Sequence, residues 1–194
     1  GNFTATAPGT GTITATAGGR TATVQVTVSN MALQTVEDFE DGPGTLNAPT
    51  PTGGLSAAWN TDKNYVARGQ GSVEISYSRT PYNASCLLNY TIPSLYTGLN
   101  LWVYGDGSGN TLSLQTADGQ TLPVCTLDFT GWRQCSVALP TGETTLTGLW
   151  IEGRTEEIWN AETGEVTYQY GTPQNGTIYL DQLTATYNGI VDNA

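Results

Sequence analysis

Apolar and polar residues alternate with a period of two along most of the chain. In residues 98–105 the aliphatic side chains Leu99, Leu101 and Val103 take every second position. Such alternation places successive side chains on opposite faces of a β-strand. Turn-forming Gly, Pro and Asn interrupt the pattern at short intervals, and no stretch keeps a helical period. The pattern therefore predicts an all-β chain that folds as a β-sandwich or a barrel.

The alternation divides the chain into a short first part and a longer second part. In residues 1–30 Thr alternates with Ala, Val and Ile, and breaks at Pro8-Gly9 and Gly18-Gly19 indicate two or three strands. These residues are too few for a core of their own. We expect a linker over 31–36, a larger domain over 37–194, and a longer parent protein. In the second part we predict strands at 36–40, 56–60, 64–68, 72–77, 85–92, 98–105, 111–117, 121–128, 132–139, 146–154, 157–161, 166–170 and 177–187.

The charge of the chain argues against two classes of partner. Its 194 residues include 17 acids and 6 bases, which gives a net charge of −11. A surface with this charge is repelled by nucleic-acid phosphates, so we expect no nucleic acid as a partner. Anionic membrane surfaces are disfavoured for the same reason, and no apolar run approaches the roughly 20 residues of a membrane span.

The chain has no histidine and three cysteines, Cys86, Cys125 and Cys135. The absence of His excludes His-based triads and most zinc sites, and the cysteine spacings match no zinc motif. An odd number of cysteines leaves at least one thiol unpaired.

Five motifs of the second part follow one another in a recognisable order. They are "DFEDG" (38–42), "GQGSVEISY" (69–77), "LWVYGDGSGN" (101–110), "DFTGWRQCSVALP" (128–140) and "GTIYLDQLTATY" (176–187). Together they resemble the calcium-containing jelly-roll carbohydrate-binding modules, galactose-binding-like β-sandwiches of secreted bacterial glycan enzymes, over about residues 36–188. Residues 1–30 resemble the C-terminal strands of a bacterial Ig-like group 2 domain. Similar modules accompany such Ig-like domains in large extracellular proteins, including ones with phosphodiester glycosidase domains.

The resemblance implies a structural calcium ion that ties the first strand of the domain to the last. Its ligands would be Glu40, Asp181 and backbone carbonyls around residues 70–72. Calcium takes six to eight oxygen ligands, which carboxylates and carbonyls supply without His. The alternative is that Asp38, Glu40 and Asp181 are solvated acids at strand ends.

Residues 106–110, Asp-Gly-Ser-Gly-Asn, space oxygen-bearing side chains two positions apart, as a calcium loop does. An EF-hand loop also needs Gly at its sixth position and Glu at its twelfth, where this chain has Thr111 and Ala117. We therefore predict a plain hairpin turn here, with Gly107 and Gly109 supplying the positive φ values.

Polar and aromatic side chains lie opposite the aliphatic ones in three predicted strands. If these strands are neighbours, as the resemblance implies, the side chains form one concave face. Aromatic rings stack on the C–H faces of sugars, and polar side chains bind hydroxyls, which suits a neutral polysaccharide. Alternatively, the aromatics pack on one another or lie under the loop at 155–175. The residues are Trp102, Tyr104, Gln115, Trp150, Glu152 and Arg154.

Residues 155–176 are predicted to form a protruding hairpin that turns at 162–164. Its aromatic residues Trp159, Tyr168 and Tyr170 either form an exposed platform for a sugar or pack the hairpin onto the sheet. Tyr82 is a weaker candidate of the same kind. Trp132, directly after a turn, is expected to pack in the core.

No catalytic arrangement is predicted. The adjacent acids Glu156 and Glu157 point to opposite faces of a strand, and no motif places two carboxylates across a cleft. A Ser or Cys nucleophile would lack a His base. Cys125 and Cys135 flank the turn at Thr130 and would pair within a hairpin, but in a jelly roll this connection often crosses to the other sheet. We therefore expect free thiols.

These observations favour a non-catalytic carbohydrate-binding module of an extracellular or cell-surface bacterial protein. It would hold an attached enzyme near a polysaccharide or oligosaccharide, beside neighbouring domains of the parent protein. The alternative is a structural spacer or protein–protein adhesion domain that has the same fold and no sugar site.

Overall fold

The fold was obtained as a computed structural model, which describes residues 9–28, 33–47 and 54–187. The regular elements of these residues are β-strands and two short 3-10 helices, Gly44–Asn47 and Lys63–Tyr65. The predicted all-β class is thereby confirmed. Within the described part of the chain, no helix is long and apolar enough to cross a membrane. The chain divides into two compact units, Gly1–Leu33 and Gln34–Ala194.

The described part of the first unit is a β-hairpin. Strands β1 (Gly9–Ala17) and β2 (Arg20–Val28) pair antiparallel along their whole length. Gly18 and Gly19 connect them with φ values of 59° and 75°, which suit the tight turns favoured by right-twisted strands. Residues 1–8 of the predicted Ig-like segment lie outside the described residues.

The second unit is a jelly-roll β-sandwich of two antiparallel sheets with an additional hairpin. The six-stranded sheet has the order β10-β7-β14-β5-β4, with β3 also paired to β14. The four-stranded sheet has the order β6-β11-β8-β9, and β12 pairs only with β13. The strands are β3 (Leu33–Glu37), β4 (Leu55–Asn60), β5 (Ser72–Ser78), β6 (Asn83–Ile92), β7 (Gly98–Asp106), β8 (Thr111–Thr116), β9 (Thr121–Thr126), β10 (Thr130–Ala138), β11 (Thr144–Glu152), β12 (Thr155–Trp159), β13 (Val166–Tyr170) and β14 (Asn175–Thr186).

The core lies between the two sheets and is built from the aliphatic side chains that take every second position along the strands. Leu99, Leu101 and Val103 on β7 are at most 4% exposed, and Leu149 and Ile151 on β11 at most 1%. Burial of such side chains, each contributing about 1.5–3 kcal/mol, provides the main driving force for joining the sheets.

The predicted strand at 64–68 is wrong. Asp62 caps the 3-10 helix Lys63–Tyr65 by accepting a hydrogen bond from the backbone of Asn64 at 3.0 Å. The next amides, of Ala67 and Arg68, donate to the carboxylate of Asp181 instead of to a neighbouring strand. These side-chain contacts outweigh the strand propensity of Tyr65 and Val66.

The predicted hairpin turn at 106–109 is also wrong, because β7 and β8 belong to different sheets. The segment is a connection between the sheets. Gly107 and Gly109 have φ values of 71° and 72° and donate from their amides to the carbonyls of Phe129 and Leu127, both at 2.9 Å. The positive φ values are therefore as predicted, although the type of connection is not.

Candidate functional site

The predicted sugar-contacting residues of strands β7, β8 and β11 do not share one face. Trp102 and Tyr104 lie on β7, in the six-stranded sheet, whereas Trp150 and Glu152 lie on β11, in the four-stranded sheet. Because the core separates the sheets, their outward faces are on opposite sides of the sandwich. The expectation of a single concave face is thus corrected, and the two groups have different surroundings.

Trp102 and Tyr104 belong to a half-buried aromatic cluster on the outer face of the six-stranded sheet. Tyr104 pairs in register with Trp132 on β10 and with Tyr179 on β14. Tyr65, from the short helix after β4, stacks on Tyr179 with ring centroids 4.2 Å apart. The Arg68 guanidinium lies 5.4 Å from the ring centroid of Trp102.

The segment that carries Tyr65 and Arg68 thus contacts the rings of this cluster. The indole N–H groups of Trp102 and Trp132 are buried and have no hydrogen-bond partner among the described residues. The contacts described for Trp102 and Tyr104 are packing contacts, with neighbouring rings for Tyr104 and with Arg68 for Trp102. Trp132 is likewise a packing residue, but on the outside of a sheet rather than between the sheets.

Trp150, Glu152 and Gln115 do share a face, the outer face of the four-stranded sheet. Trp150 pairs with Ser113 on β8, and Gln115 pairs with Gly148 on β11. A Cβ atom on Gly148 would lie 2.9 Å from Nε1 of Trp150, so the indole passes over this glycine. Glu152 accepts a hydrogen bond from Ser113 at 2.9 Å.

This outer face therefore combines a partly exposed indole with carboxylate and amide groups. Sequence reasoning missed Gly148. An isolated Gly within a strand pattern is the signal that could have indicated a close approach here.

The β12–β13 hairpin exposes an aromatic side. The register pairs Glu157 with Tyr168 and Trp159 with Val166, so these four side chains and Tyr170 point the same way. Trp159 is 66% exposed, the largest value among the exposed large hydrophobic side chains of the described residues. Tyr168 and Tyr170 are 41% and 37% exposed, which favours the platform over packing onto the sheet.

Tyr82 extends this aromatic side. It donates a hydrogen bond to Glu157 and meets Tyr168 edge-on, with centroids 6.1 Å apart. Its own ring is 49% exposed. Tyr82 immediately precedes β6, so this contact links the hairpin to the edge of the four-stranded sheet.

Arg79, which is only 1% exposed, fixes the base of the hairpin. Its guanidinium donates to the carbonyls of Thr172 at 2.6 Å, Pro81 at 2.8 Å and Pro173 at 3.1 Å, and to the hydroxyl of Thr155 at 3.0 Å. Burial lowers the pKa of Arg79, yet these acceptors satisfy the buried cation without a carboxylate.

Arg154 lies between β11, which ends at Glu152, and β12. With Thr155, Glu156, Gln169 and Gly171 it lines a shallow cavity of about 200 Å³. This cavity involves the side of the hairpin that carries Glu156 and Gln169, opposite the aromatic side.

Asp181 and Glu40 both bind the loop at residues 67–70. Asp181 is fully buried, and its Oδ2 accepts from the amides of Ala67 and Arg68 at 2.8 Å. Both carboxylate oxygens of Glu40 accept from the amide of Gln70, at 3.0 and 2.8 Å. Burial, opposed by its amide donors and reinforced by the charge of Glu40, raises the pKa of Asp181.

Two observations bear on whether this loop fits a cation. Oδ1 of Asp181 is buried and has no hydrogen-bond partner among the described residues. Lys63 donates its ammonium to the carbonyls of Gly69 at 3.3 Å and Gln70 at 3.0 Å, so a positive charge already lies at those carbonyls. An unpaired buried carboxylate oxygen, a second acid and carbonyls that attract a cation form an oxygen set of the kind that calcium takes.

A separate acidic cluster lies at the surface before this loop. Carboxylate oxygens of Glu37, Asp38 and Asp41 lie within 4.8 Å of one another. Glu37 is engaged by the Tyr90 hydroxyl at 2.8 Å and by the Phe39 amide at 3.0 Å, whereas Asp38 and Asp41 are exposed.

Asp106 takes part in internal hydrogen bonds. It accepts from the hydroxyl of Tyr77 at 2.6 Å and from the amide of Ser108 at 3.0 Å. Asn110, 1% exposed, donates to Tyr77 and to the carbonyl of Pro173, both at 3.0 Å. The oxygen-bearing residues of the 106–110 segment thus brace the crossing between the sheets.

No protein-family model and no curated protein matches the chain. Solved structures similar to it include carbohydrate-binding modules. A family 61 module solved with β-1,4-galactotriose is 12% identical, with a TM-score of 0.42 over 78% of this chain and 99% of its own. A carbohydrate-binding module of the β-sandwich superfamily is 16% identical, with a TM-score of 0.43 over 93% and 75%. The family 11 module of a cellulosomal cellulase from Clostridium thermocellum is 9% identical, with a TM-score of 0.41 over 69% and 81%.

Proposed function

We propose that this protein is a non-catalytic module that binds a neutral polysaccharide or oligosaccharide. The observation that carries the proposal is the aromatic side of the β12–β13 hairpin, where Trp159, Tyr82 and Tyr168 are 66%, 49% and 41% exposed. An exposed cluster of aromatic rings is unfavourable in water and marks a surface that a ligand covers. Flat rings stack on the C–H faces of sugars.

The outer face of the four-stranded sheet provides a second set of contacts. Trp150 offers its ring for stacking, while Gln115 and Glu152 offer an amide and a carboxylate for hydroxyl groups. Trp159 and Trp150 are therefore the two stacking residues of the proposal. Trp102 and Tyr104 support the opposite sheet.

The charge of the chain indicates which glycans suit it. With a net charge of −11, the surface repels anionic polysaccharides at low ionic strength. A neutral glycan carries no such penalty. Each module would bind with millimolar to micromolar affinity, on the order of 4–8 kcal/mol, and gain from multivalent attachment.

A structural calcium ion belongs to the same proposal. Asp181, Glu40 and backbone carbonyls of the 67–70 loop would hold it, and Lys63 would release the carbonyls of Gly69 and Gln70. The ion would neutralise two acids and attach this loop to β14. We further propose that the module belongs to an extracellular or cell-surface protein and serves an attached enzyme.

A protein–protein adhesion role is the second candidate. Ile158 and Val166 on the hairpin are 48% and 46% exposed, and aliphatic side chains of this kind pack on proteins rather than on sugar rings. In the first candidate function the hairpin contacts a glycan, and in the second it contacts another protein.

Affinity gel electrophoresis and a glycan array distinguish them. We expect the unsubstituted protein to be retarded by at least one neutral glycan, and Trp159→Ala or Trp150→Ala to lose most of that retardation. Trp59→Ala is the matched control, because Trp59 is 49% exposed on β4 of the other sheet. Binding to no glycan would favour the adhesion role, and binding unchanged by both substitutions would place the site elsewhere.

A further inference from the structure

Cys125 and Cys135 lie on different sheets, yet their side chains are neighbours. Strand β9 is at one edge of the four-stranded sheet, and β10 is at one edge of the six-stranded sheet. The described residues 127–129 carry the chain from one sheet to the other between them. The crossing expected from the sequence is therefore present, but it does not separate the two thiols.

A β-bulge brings Cys125 to the inner side of its strand. Leu122 and Val124 are buried, and strict alternation would direct Cys125 outward. The register between β8 and β9 shifts at this point, however, so that Cys125 pairs with the core residue Leu112. Bulges re-aim side chains in this way.

Cys135 reaches the same position from the other sheet. It pairs with Leu101 on β7, is 5% exposed, and belongs to the core. The thiols of Cys125 and Cys135 lie close enough to influence each other. Their interaction raises the pKa of Cys125 and holds that of Cys135 below its ordinary value.

We propose that Cys125 and Cys135 form a disulfide that joins the open edges of the two sheets. The oxidant is an external disulfide, such as oxidised glutathione or a thiol–disulfide oxidoreductase. One of the two cysteines, as its thiolate, attacks one sulfur of this disulfide, which forms a mixed disulfide and releases one thiolate. The thiolate of the other cysteine then attacks the protein sulfur of the mixed disulfide and releases the second.

In sum the protein loses two protons and two electrons, and the external disulfide gains them as two thiols. The product is an intramolecular covalent bond between strands that have no backbone ladder with each other. Such bonds persist in oxidising compartments.

Cys86 provides the internal control. It is 2% exposed on β6, and burial raises its pKa to about 12. A thiol buried in this way is shielded from an external disulfide. The three cysteines therefore fall into a neighbouring pair and a shielded single thiol.

Peptide mapping tests the proposal. Trypsin cleaves after Arg79, Arg133 and Arg154, so Cys125 and Cys135 fall into fragments 80–133 and 134–154. After folded protein is incubated with oxidised glutathione, we expect these fragments to be linked, with the loss of two hydrogen atoms. The link should be the same in Cys86→Ala, where 80–133 holds only Cys125. Chymotrypsin, which cuts between Cys86 and Cys125, gives the same assignment without substitution.

The linked protein should also melt at a higher temperature. Closing a loop of about ten residues corresponds to a rise of roughly 5–10 °C for a domain of this size. The rise should disappear with dithiothreitol and be absent in Cys125→Ser and Cys135→Ser. The proposal is overturned if alkylation after oxidation and unfolding labels both Cys125 and Cys135, or if the link involves Cys86.

Discussion

Gly148 lies under the indole of Trp150, and no side chain would fit between the strand and the ring. A Cβ atom at this position would come 2.9 Å from Nε1 and 3.3 Å from Cδ1 of the indole. Both residues are on β11 and face outward from the four-stranded sheet. The absence of a side chain at 148 therefore sets how Trp150 is presented to a ligand.

Gly148→Ala should weaken glycan binding without unfolding the protein. The added methyl group displaces the ring of Trp150, and we expect about a tenfold loss of affinity, or roughly 1.4 kcal/mol. Ala in a strand also costs less backbone entropy than Gly, so the melting temperature should hardly fall. Isothermal titration with a glycan identified on the array measures the first effect, and thermal melting the second.

Gly11→Ala in the β1–β2 hairpin is the matched control, because a Cβ atom there meets nothing within 4 Å. If Gly148→Ala binds as tightly as Gly11→Ala, the orientation of Trp150 does not matter for the ligand.

Trp102→Ala should lower stability and leave glycan affinity nearly unchanged, which is the opposite of the effects expected for Gly148→Ala. The ring is half-buried under Arg68 in the aromatic cluster, so its removal should destabilise the domain by roughly 2–4 kcal/mol. Glycan affinity, measured at a temperature at which the variant is folded, should stay within about twofold of the unsubstituted protein. A stable Trp102→Ala protein that has lost binding would return the site to the six-stranded sheet.

Local alternation predicts the strands of this fold but not their sheets. Leu99, Leu101 and Val103 were predicted to be core residues and are buried, because a side chain's face depends only on its neighbours in sequence. Whether Trp102 and Trp150 share a sheet depends on pairing between distant strands, which no local pattern contains.

Two further features of the fold lie outside what local alternation predicts. The strand predicted around Tyr65 is replaced by a helix and a loop because Asp181, more than a hundred residues away, binds the amides of Ala67 and Arg68. The inward position of Cys125 follows from a bulge that shifts the phase of alternation by one residue. Neither the distant acceptor nor the bulge is visible in a period-two pattern.

Arg79→Ala should destabilise the protein strongly. The substitution leaves the buried carbonyl of Thr172 and the part-buried carbonyls of Pro173 and Pro81 without their donor, and we expect a loss of about 3 kcal/mol or more. Urea unfolding measures it. Arg133→Ala is the control, because its exposed ion pair with Asp128 at 3.4 Å contributes less than about 1 kcal/mol. Equal effects of the two substitutions would contradict this account of the hairpin base.

Tyr77 should make stability fall at high pH. Burial, together with its hydrogen bond to Asp106, raises the pKa of Tyr77 to about 12 from the ordinary value of 10.0. A raised pKa favours the neutral folded form, so the contribution is complete below pH 10 and lost as the pH rises towards 12. The loss is about 1.4 kcal/mol per pH unit in that window.

The difference in unfolding free energy between the unsubstituted protein and Tyr77→Phe isolates this effect. Tyr90, Tyr179 and Cys86, whose pKa values are also raised to about 12, titrate in both proteins and cancel. The advantage of the unsubstituted protein in urea should shrink between pH 10 and pH 11. A constant difference would show that Tyr77 ionises equally in the folded and unfolded states.

Chelation should lower the melting temperature if Asp181 and Glu40 hold calcium. A ligand bound only to the folded state stabilises it by about 2.7 kcal/mol at a hundred times its dissociation constant, so EGTA should cost several degrees, restored by added calcium. Asp181→Asn should abolish this response.

Asp38→Asn separates the two acidic sites in the same experiment. Its carboxylate belongs to the surface cluster with Glu37 and Asp41 and makes no contact with the 67–70 loop among the hydrogen bonds of the described residues. Loss of the chelation response in Asp38→Asn, but not in Asp181→Asn, would move the ion to that cluster.

The pairing of β3 with β14 places the first and last strands of the sandwich side by side. Tension transmitted along the polypeptide would therefore enter and leave the domain through adjacent strands, and would act on their ladder before it reached the core. Glu40 follows β3, Asp181 lies within β14, and both hold the 67–70 loop. The carboxylates proposed to hold a cation would thus also resist such tension.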